Sequence, residues 1–369
     1  MTDNTQNFQC LTALRAFFAW WVVLYHVRHW FVSTPLAPLV SPLNYGFLGV
    51  DFFFVLSGFV IHYRYAEFFP KFNSTTLQKF FVLRLARIYP LHLFILLLFL
   101  LNPLAIAIFS TTGASTDRYQ LSYFFMSILL IQNWGIANEI KWNGPAWSIS
   151  TEAFAYLVYP LVCYCLLRTK ARFIASLFCI LLLSFLLFVF AWQMHLNSIG
   201  EKISQFGLVR CTLEFVIGCF VCAMFKSMAG SGATPKTNRW ITWSAPALFA
   251  LVMISAWIFR WVDFAFIPIT VALLIFSIAT WHQSLRYLAP KPLVWLGEIS
   301  YATYLVHYFI KDWYGFLNIE PKIGSTATLV SYCVTVLIAS AILHRTLERP
   351  MQGKLKKLLW PRRETGEHP

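Results

Sequence analysis

Ten runs of about 20 mostly apolar residues follow one another along this chain, and that is the length a helix needs to cross the hydrocarbon core of a bilayer. They fall at roughly 11–31, 46–64, 88–109, 147–167, 173–192, 206–225, 240–259, 264–282, 293–315 and 326–347. Backbone N–H and C=O groups cannot be left bare in lipid, so each run is expected to be helical. Composition agrees, with 59% of the 369 residues hydrophobic and only 12% charged. The mean hydropathy of +0.63 lies outside the range of soluble domains. A further apolar stretch, Leu121 to Trp134, has about 14 residues, which is short for a crossing and fits a re-entrant or interfacial segment.

Charge sets the orientation. The net charge of +14 sits in short stretches between the apolar runs, where it acts as a topology signal, so nucleic-acid binding is discarded. With a cytoplasmic N-terminus and a 121–134 stretch that does not cross, about twenty basic residues lie inside against about seven outside. If that stretch crosses, the clusters from Arg168 onward change sides and the asymmetry collapses. The expected fold is an all-α integral membrane protein of ten transmembrane helices plus a short re-entrant or interfacial segment, multi-pass, with both termini cytoplasmic. Residues 1–350 are expected to form a single membrane domain and 351–369 a basic cytoplasmic tail. A removable signal peptide is not expected, because no Lys or Arg precedes the first run and no small-residue cleavage site follows it. The eight cysteines lie mostly in apolar stretches. Cys219 and Cys222 lack a second pair at ligand spacing, so no metal site is expected.

Against this background the polar residues inside the runs stand out. Arg15 and His26 are eleven apart, which at about 100° and 1.5 Å per residue puts them on one helix face about 16 Å apart. Ionisable groups in lipid are costly and by default line a site. Depth sorts the candidates into two layers. His26, Asp51, Trp147, Ser148, Glu152 and His307 fall in the outer half, and Arg15, Arg84, Arg87, Arg345, Glu348 and Arg349 fall at the inner surface. Imidazole titrates near neutral pH, so His26 is the candidate base, with Asp51 or Glu152 as the carboxylate that would fix its tautomer. Arg84 and Arg87 are three apart, share a helix face and can grip phosphate oxygens in forked geometry.

Other positions receive structural readings. Arg210 and Glu214, four apart, are expected to pair with each other. Ser57-Gly58 is expected to allow a close helix contact. His29, His62, His92 and His282 lie near span ends, where a polar tip can reach water.

Several segments in order resemble the membrane acyltransferase family three. They are Leu14-Arg15 through Tyr25-His26, Gly46 to Phe59 (GFLGVDFFFVLSGF), Arg84 to Pro90 (RLARIYP), Trp147 to Glu152 (WSISTE), Leu296 to His307 (LGEISYATYLVH) and Glu348-Arg349-Pro350. The resemblance implies a bacterial inner-membrane O-acyltransferase that moves an acyl group, usually acetyl, from cytoplasmic acyl-CoA to a hydroxyl of an extracytoplasmic glycan or lipid-linked sugar. Acetyl-CoA would be a co-substrate, with no tightly bound cofactor. The Arg-x10-His pair falls on Arg15 and His26 and the Arg-x-x-Arg motif on Arg84 and Arg87; Trp147, Glu152 and Glu348 fall on positions the resemblance implies to be functional. Ser148 and His307 are read as substrate- or acyl-CoA-binding, and an acyl intermediate on His26 or Ser148 stays open beside direct transfer. The competing reading is a proton-coupled secondary transporter with His26, Asp51 and Glu152 as a relay. It calls for a repeat symmetry that this sequence lacks.

Overall fold

The computed structural model describes residues 8–69, 73–109, 117–169, 173–230, 263–281 and 285–359, with Ala247. Among the described residues every regular element is helical. Six helical segments are long and apolar enough to cross a membrane: Gly46–Tyr65, Ser74–Phe109, Gly144–Arg168, Phe173–Gln193, Ile203–Ala229 and Ser325–Leu355. Phe266–Thr280 is a shorter apolar helix. The protein is therefore an all-α, multi-pass membrane protein. The first predicted span is an 18-residue helix, Gln9–His26, continued by a 3-10 turn at Arg28–Phe31. The ninth is divided into Lys291–Glu298 and Ser300–Phe316. The predicted span 240–259 apart from Ala247, the tip of the basic tail and His282 lie outside the described residues.

The short stretch from Leu121 behaves as its length requires. It forms an eight-residue helix, Leu121–Ile128, and then leaves helical geometry at Leu130, whose φ is +59°. Its polar ends are held from within. The His92 imidazole meets the Ser127 carbonyl at 2.9 Å, and Trp134 Nε1 donates to the Ser150 carbonyl at 2.9 Å. Irregular backbone at membrane depth is tolerated where protein covers it in this way. His92 is thus buried rather than turned to water, as is His62, while His29 is exposed. Lipid-facing surface is plain on Phe173–Gln193, where Ile174, Phe178, Phe185 and Trp192 stand exposed.

Two backbone crossings fix the helices that carry the site. A Cβ on Gly58 would lie 1.8 Å from the Phe215 carbonyl oxygen, and one on Gly218 would lie 2.0 Å from that of Val55. Gly49–Tyr65 and Ile203–Gly230 therefore touch backbone to backbone, as small residues permit in membranes. Gly297 rests on the Thr12 carbonyl in the same way, seating Lys291–Glu298 against the start of the first helix. That end of the bundle is closed by the rings of Phe8, Tyr63 and Phe225, with centroids 5.1 to 6.2 Å apart. His26 lies at the other end of its helix.

Candidate active site

A cavity of about 610 Å³ opens among these helices. Arg15, Arg64, Arg84, Arg87 and Arg349 line one part of it, and Ser148 and Tyr304 another. The arginines are not equivalent. Arg87 is engaged by Glu348, which also holds His344 Nδ1 at 2.8 Å. Glu348 reaches both because His344–Glu348 forms a π-helical turn between Ser325–Leu343 and Arg349–Leu359. Such turns re-aim side chains and cluster at functional sites. Arg84 donates to the Tyr65 hydroxyl and lies over the Tyr65 ring at 4.6 Å, leaving its buried Nε without a hydrogen-bond partner. Neither Arg15 nor Arg84 lies within ion-pair distance of a carboxylate among the described residues. Arg345 is exposed and is absent from the cavity wall, unlike the other inner-layer arginines.

Glu152 faces the cavity midway along. Its Oε1 accepts from Ser57 Oγ at 2.5 Å and from the Tyr156 hydroxyl at 2.6 Å. Beyond it the cavity meets a polar wall: Ser148 Oγ and the Tyr304 hydroxyl are 2.9 Å apart, and both reach the Pro145 carbonyl, at 3.1 and 2.9 Å.

His26 and His307 lie behind this wall. Their ring centroids are 5.2 Å apart, and the Tyr304 ring is 5.9 Å from His307. His307 Nδ1 meets the Tyr304 carbonyl at 2.6 Å; a carbonyl only accepts, so Nδ1 carries the proton and Nε2 presents a lone pair. That Nε2 is buried and has no hydrogen-bond partner. Two imidazoles linked by one N–H···N bond of about 2.9 Å have centroids about 5 Å apart, and the separation of His26 and His307 matches that.

Among the described residues no carboxylate is hydrogen-bonded to His26. Asp51 gives both oxygens to the Arg210 fork, at 2.8 and 2.6 Å, with both side chains buried. Arg210 also donates to the Ile199 carbonyl at 3.0 Å, and its guanidinium lies 5.6 Å from the Trp147 ring centroid. Asp51 as the support of His26 is thus corrected, because both its oxygens face the Arg210 fork and none bonds His26. Arg210 sends its fork across to another helix, to Asp51. Glu152 Oε1 is taken by Ser57 and Tyr156, and among the described residues no hydrogen bond joins Glu152 to His26. Trp147 packs on Arg210 and against Phe54 at 5.7 Å, outside the cavity wall.

Several participants escaped sequence reasoning. Tyr65, Tyr156 and His344 have no pattern of their own. Tyr304 carried a readable signal, since it is three residues before His307 and so shares its helix face. Ser57 was read only as part of a helix contact; Gly58 makes that contact and Ser57 binds Glu152. Beside His26, Arg118 binds Asp312 at 3.1 Å and the Trp142 carbonyl at 2.5 and 3.0 Å. Burial works against the Arg118 charge, but Asp312, Tyr308 and Tyr119 outweigh it and hold the guanidinium above its ordinary range.

A family model described as an acyltransferase domain matches residues 8–345. The O-acetyltransferase OatA of Staphylococcus aureus strain NCTC 8325 is 27% identical over 365 residues, covering 93% of this chain and 57% of that protein. A second protein of that species, strain COL, named provisionally as an O-acetyltransferase, is 22% identical over 378 residues, covering 95% of this chain and 58% of its own length. This chain thus spans a little over half the length of these relatives. No solved structure matches it.

Proposed function

This chain belongs to the acyltransferase family, and we propose that it is a membrane O-acetyltransferase that takes acetyl from cytoplasmic acyl-CoA and delivers it to a hydroxyl of an extracytoplasmic glycan or lipid-linked sugar. The observation that carries this reading is the cavity. Arginines line it at one end, Arg15 and Arg84 among them without carboxylate partners, and the Ser148–Tyr304 wall separates it from the histidine pair at the other. A polyanionic nucleotide suits the first end and proton transfer suits the second.

In this reading Arg15 and Arg84 take phosphate oxygens of the CoA nucleotide, and Glu348 holds Arg87 in place beside them. The thioester arm runs past Glu152 towards Tyr304, whose hydroxyl leaves Pro145 or Ser148 to let it through. Neutral His26 removes the proton of the acceptor hydroxyl. The acceptor oxygen attacks the thioester carbonyl, the C–O bond forms, the C–S bond breaks, and the departing CoA sulfur takes the proton from His26. His307 accepts the other N–H of His26 at Nε2, which leaves the remaining His26 nitrogen free as base. This is the orienting role that a carboxylate plays in the serine hydrolases. Tyr304 and Ser148 supply hydroxyl donors for the oxyanion of the tetrahedral intermediate.

The test is transfer of radiolabelled acetyl from acetyl-CoA to the host's surface glycans and glycolipids, in membranes carrying wild type or His26→Ala at matched protein levels. Label is expected on a glycan with wild type only. Equal labelling by both would remove His26 from the reaction, and no labelling by a folded wild type in a broad acceptor pool would overturn the reading.

A further inference from the structure

Three cations from separate parts of the chain converge beside His26, on the side of it away from the cavity. Tyr308 is the common platform: its ring centroid is 5.1 Å from that of His26, 4.4 Å from Lys311 Nζ and 4.9 Å from the Arg118 guanidinium carbon. Arg28 follows His26 by two residues. Its guanidinium lies over Tyr25 at 4.2 Å and donates to Asn44 Oδ1 at 2.8 Å and to the Tyr25 carbonyl at 2.7 Å, both neutral acceptors.

Only one of the three positive charges is compensated. Asp312 is the carboxylate next to Lys311 in sequence, yet it is held by Arg118 and by Asn102 Nδ2 at 3.1 Å. Among the described residues, neither Arg28 nor Lys311 lies within ion-pair distance of a carboxylate. Loops on the translocated side of a membrane protein are depleted of Lys and Arg. Of the about seven basic residues assigned to that side, two meet at the Tyr308 ring and a third, Arg28, follows His26 by two residues, against the topological trend.

We infer that Lys311, with Arg28 and Arg118 behind it, is an acceptor subsite for an anionic group, a carboxylate or phosphate carried by the sugar whose hydroxyl meets His26. An ammonium is a compact charge with three rotatable donors and grips either anion. The inference rests on the O-acetyltransferase reading and adds to it the charge class of the acceptor.

The experiment is inhibition of acetyl transfer to host glycans by matched competitors. Trigalacturonic acid is compared with its methyl ester for the carboxylate, and glucose 1-phosphate with methyl glucoside for the phosphate. With wild type, at least one anion is expected to inhibit at about tenfold lower concentration than its neutral twin, and the advantage should shrink as salt screens the charge. Lys311→Met should bring that ratio close to one, and Lys311→Arg should keep it. Anions no better than their twins, or an advantage that survives Lys311→Met, would overturn the inference while transfer itself continues. Loss of all transfer in wild type would instead remove the underlying reading.

Discussion

Asp51→Asn separates a structural carboxylate from a catalytic one. In the native protein Asp51 and Arg210 are buried, with side-chain exposures of 0% and 1%, and joined by two hydrogen bonds. Neutralising Asp51 breaks the buried, doubly hydrogen-bonded pair with Arg210 from one side only, a loss of about 3–5 kcal/mol in comparable pairs. For a chain of this size that corresponds to a fall of roughly 5 °C in the unfolding midpoint. Removing both charges is different. Asp51→Leu combined with Arg210→Met exchanges the pair for apolar groups, which is often neutral. The residual loss is the hydrogen bond from Arg210 to the Ile199 carbonyl, costing roughly 1–2 kcal/mol. The double variant is therefore expected to be more stable than Asp51→Asn and to recover acetyl transfer along with folded protein. Thermal unfolding in detergent, followed by intrinsic fluorescence and read beside the transfer assay, measures both quantities. An Asp51→Asn protein that unfolds at the wild-type temperature but is inactive, with a stable and equally inactive double variant, would refute the reasoning and place Asp51 in the chemistry.

Two further perturbations follow from the geometry. Arg84→Gln deletes a charge that faces the cavity without a carboxylate partner. It should raise KM for acetyl-CoA by roughly tenfold or more, the value of one hydrogen bond to a charged group, with a smaller change in kcat. An unchanged donor dependence would remove Arg84 from the nucleotide site. Gly58→Ala inserts a methyl group 1.8 Å from the Phe215 carbonyl oxygen, and the backbone there can yield only if the two helices separate. A destabilisation of about 1–3 kcal/mol is expected. It should appear as a lowered unfolding midpoint, whereas Gly58→Ala at the wild-type midpoint would mean that the crossing is not tight.

Which residues could be read in advance depended on how local their cause was. The spacing of Arg15 and His26 follows from helix geometry alone, and a charge in an apolar run signals a site wherever it occurs. Glu152 was legible for that reason and Arg84 for its spacing to Arg87, and the cavity wall includes both. Gly58 was legible as a contact because only a small residue lets two backbones meet in lipid. The partners were not legible. Arg210 had a carboxylate one turn away at Glu214, and nothing in the local pattern says that its fork reaches across 159 residues to Asp51. Glu348 was read as a motif residue, yet its grip on Arg87 depends on a π-helical turn that no periodicity announces.

The sequence by itself determined the solvent and the class of fold. Runs of apolar residues of bilayer length must pair their backbone internally, and the basic residues between them set the expected orientation, without reference to any contact. Tertiary structure alone decided which charge answers which. Electrostatic and hydrogen-bond partners are fixed by distance in space, and helix packing brings together positions far apart in the chain. It thereby commits Asp51 to Arg210, turns Glu152 to Ser57 and Tyr156, and leaves His26 beside His307 and the cations around Tyr308.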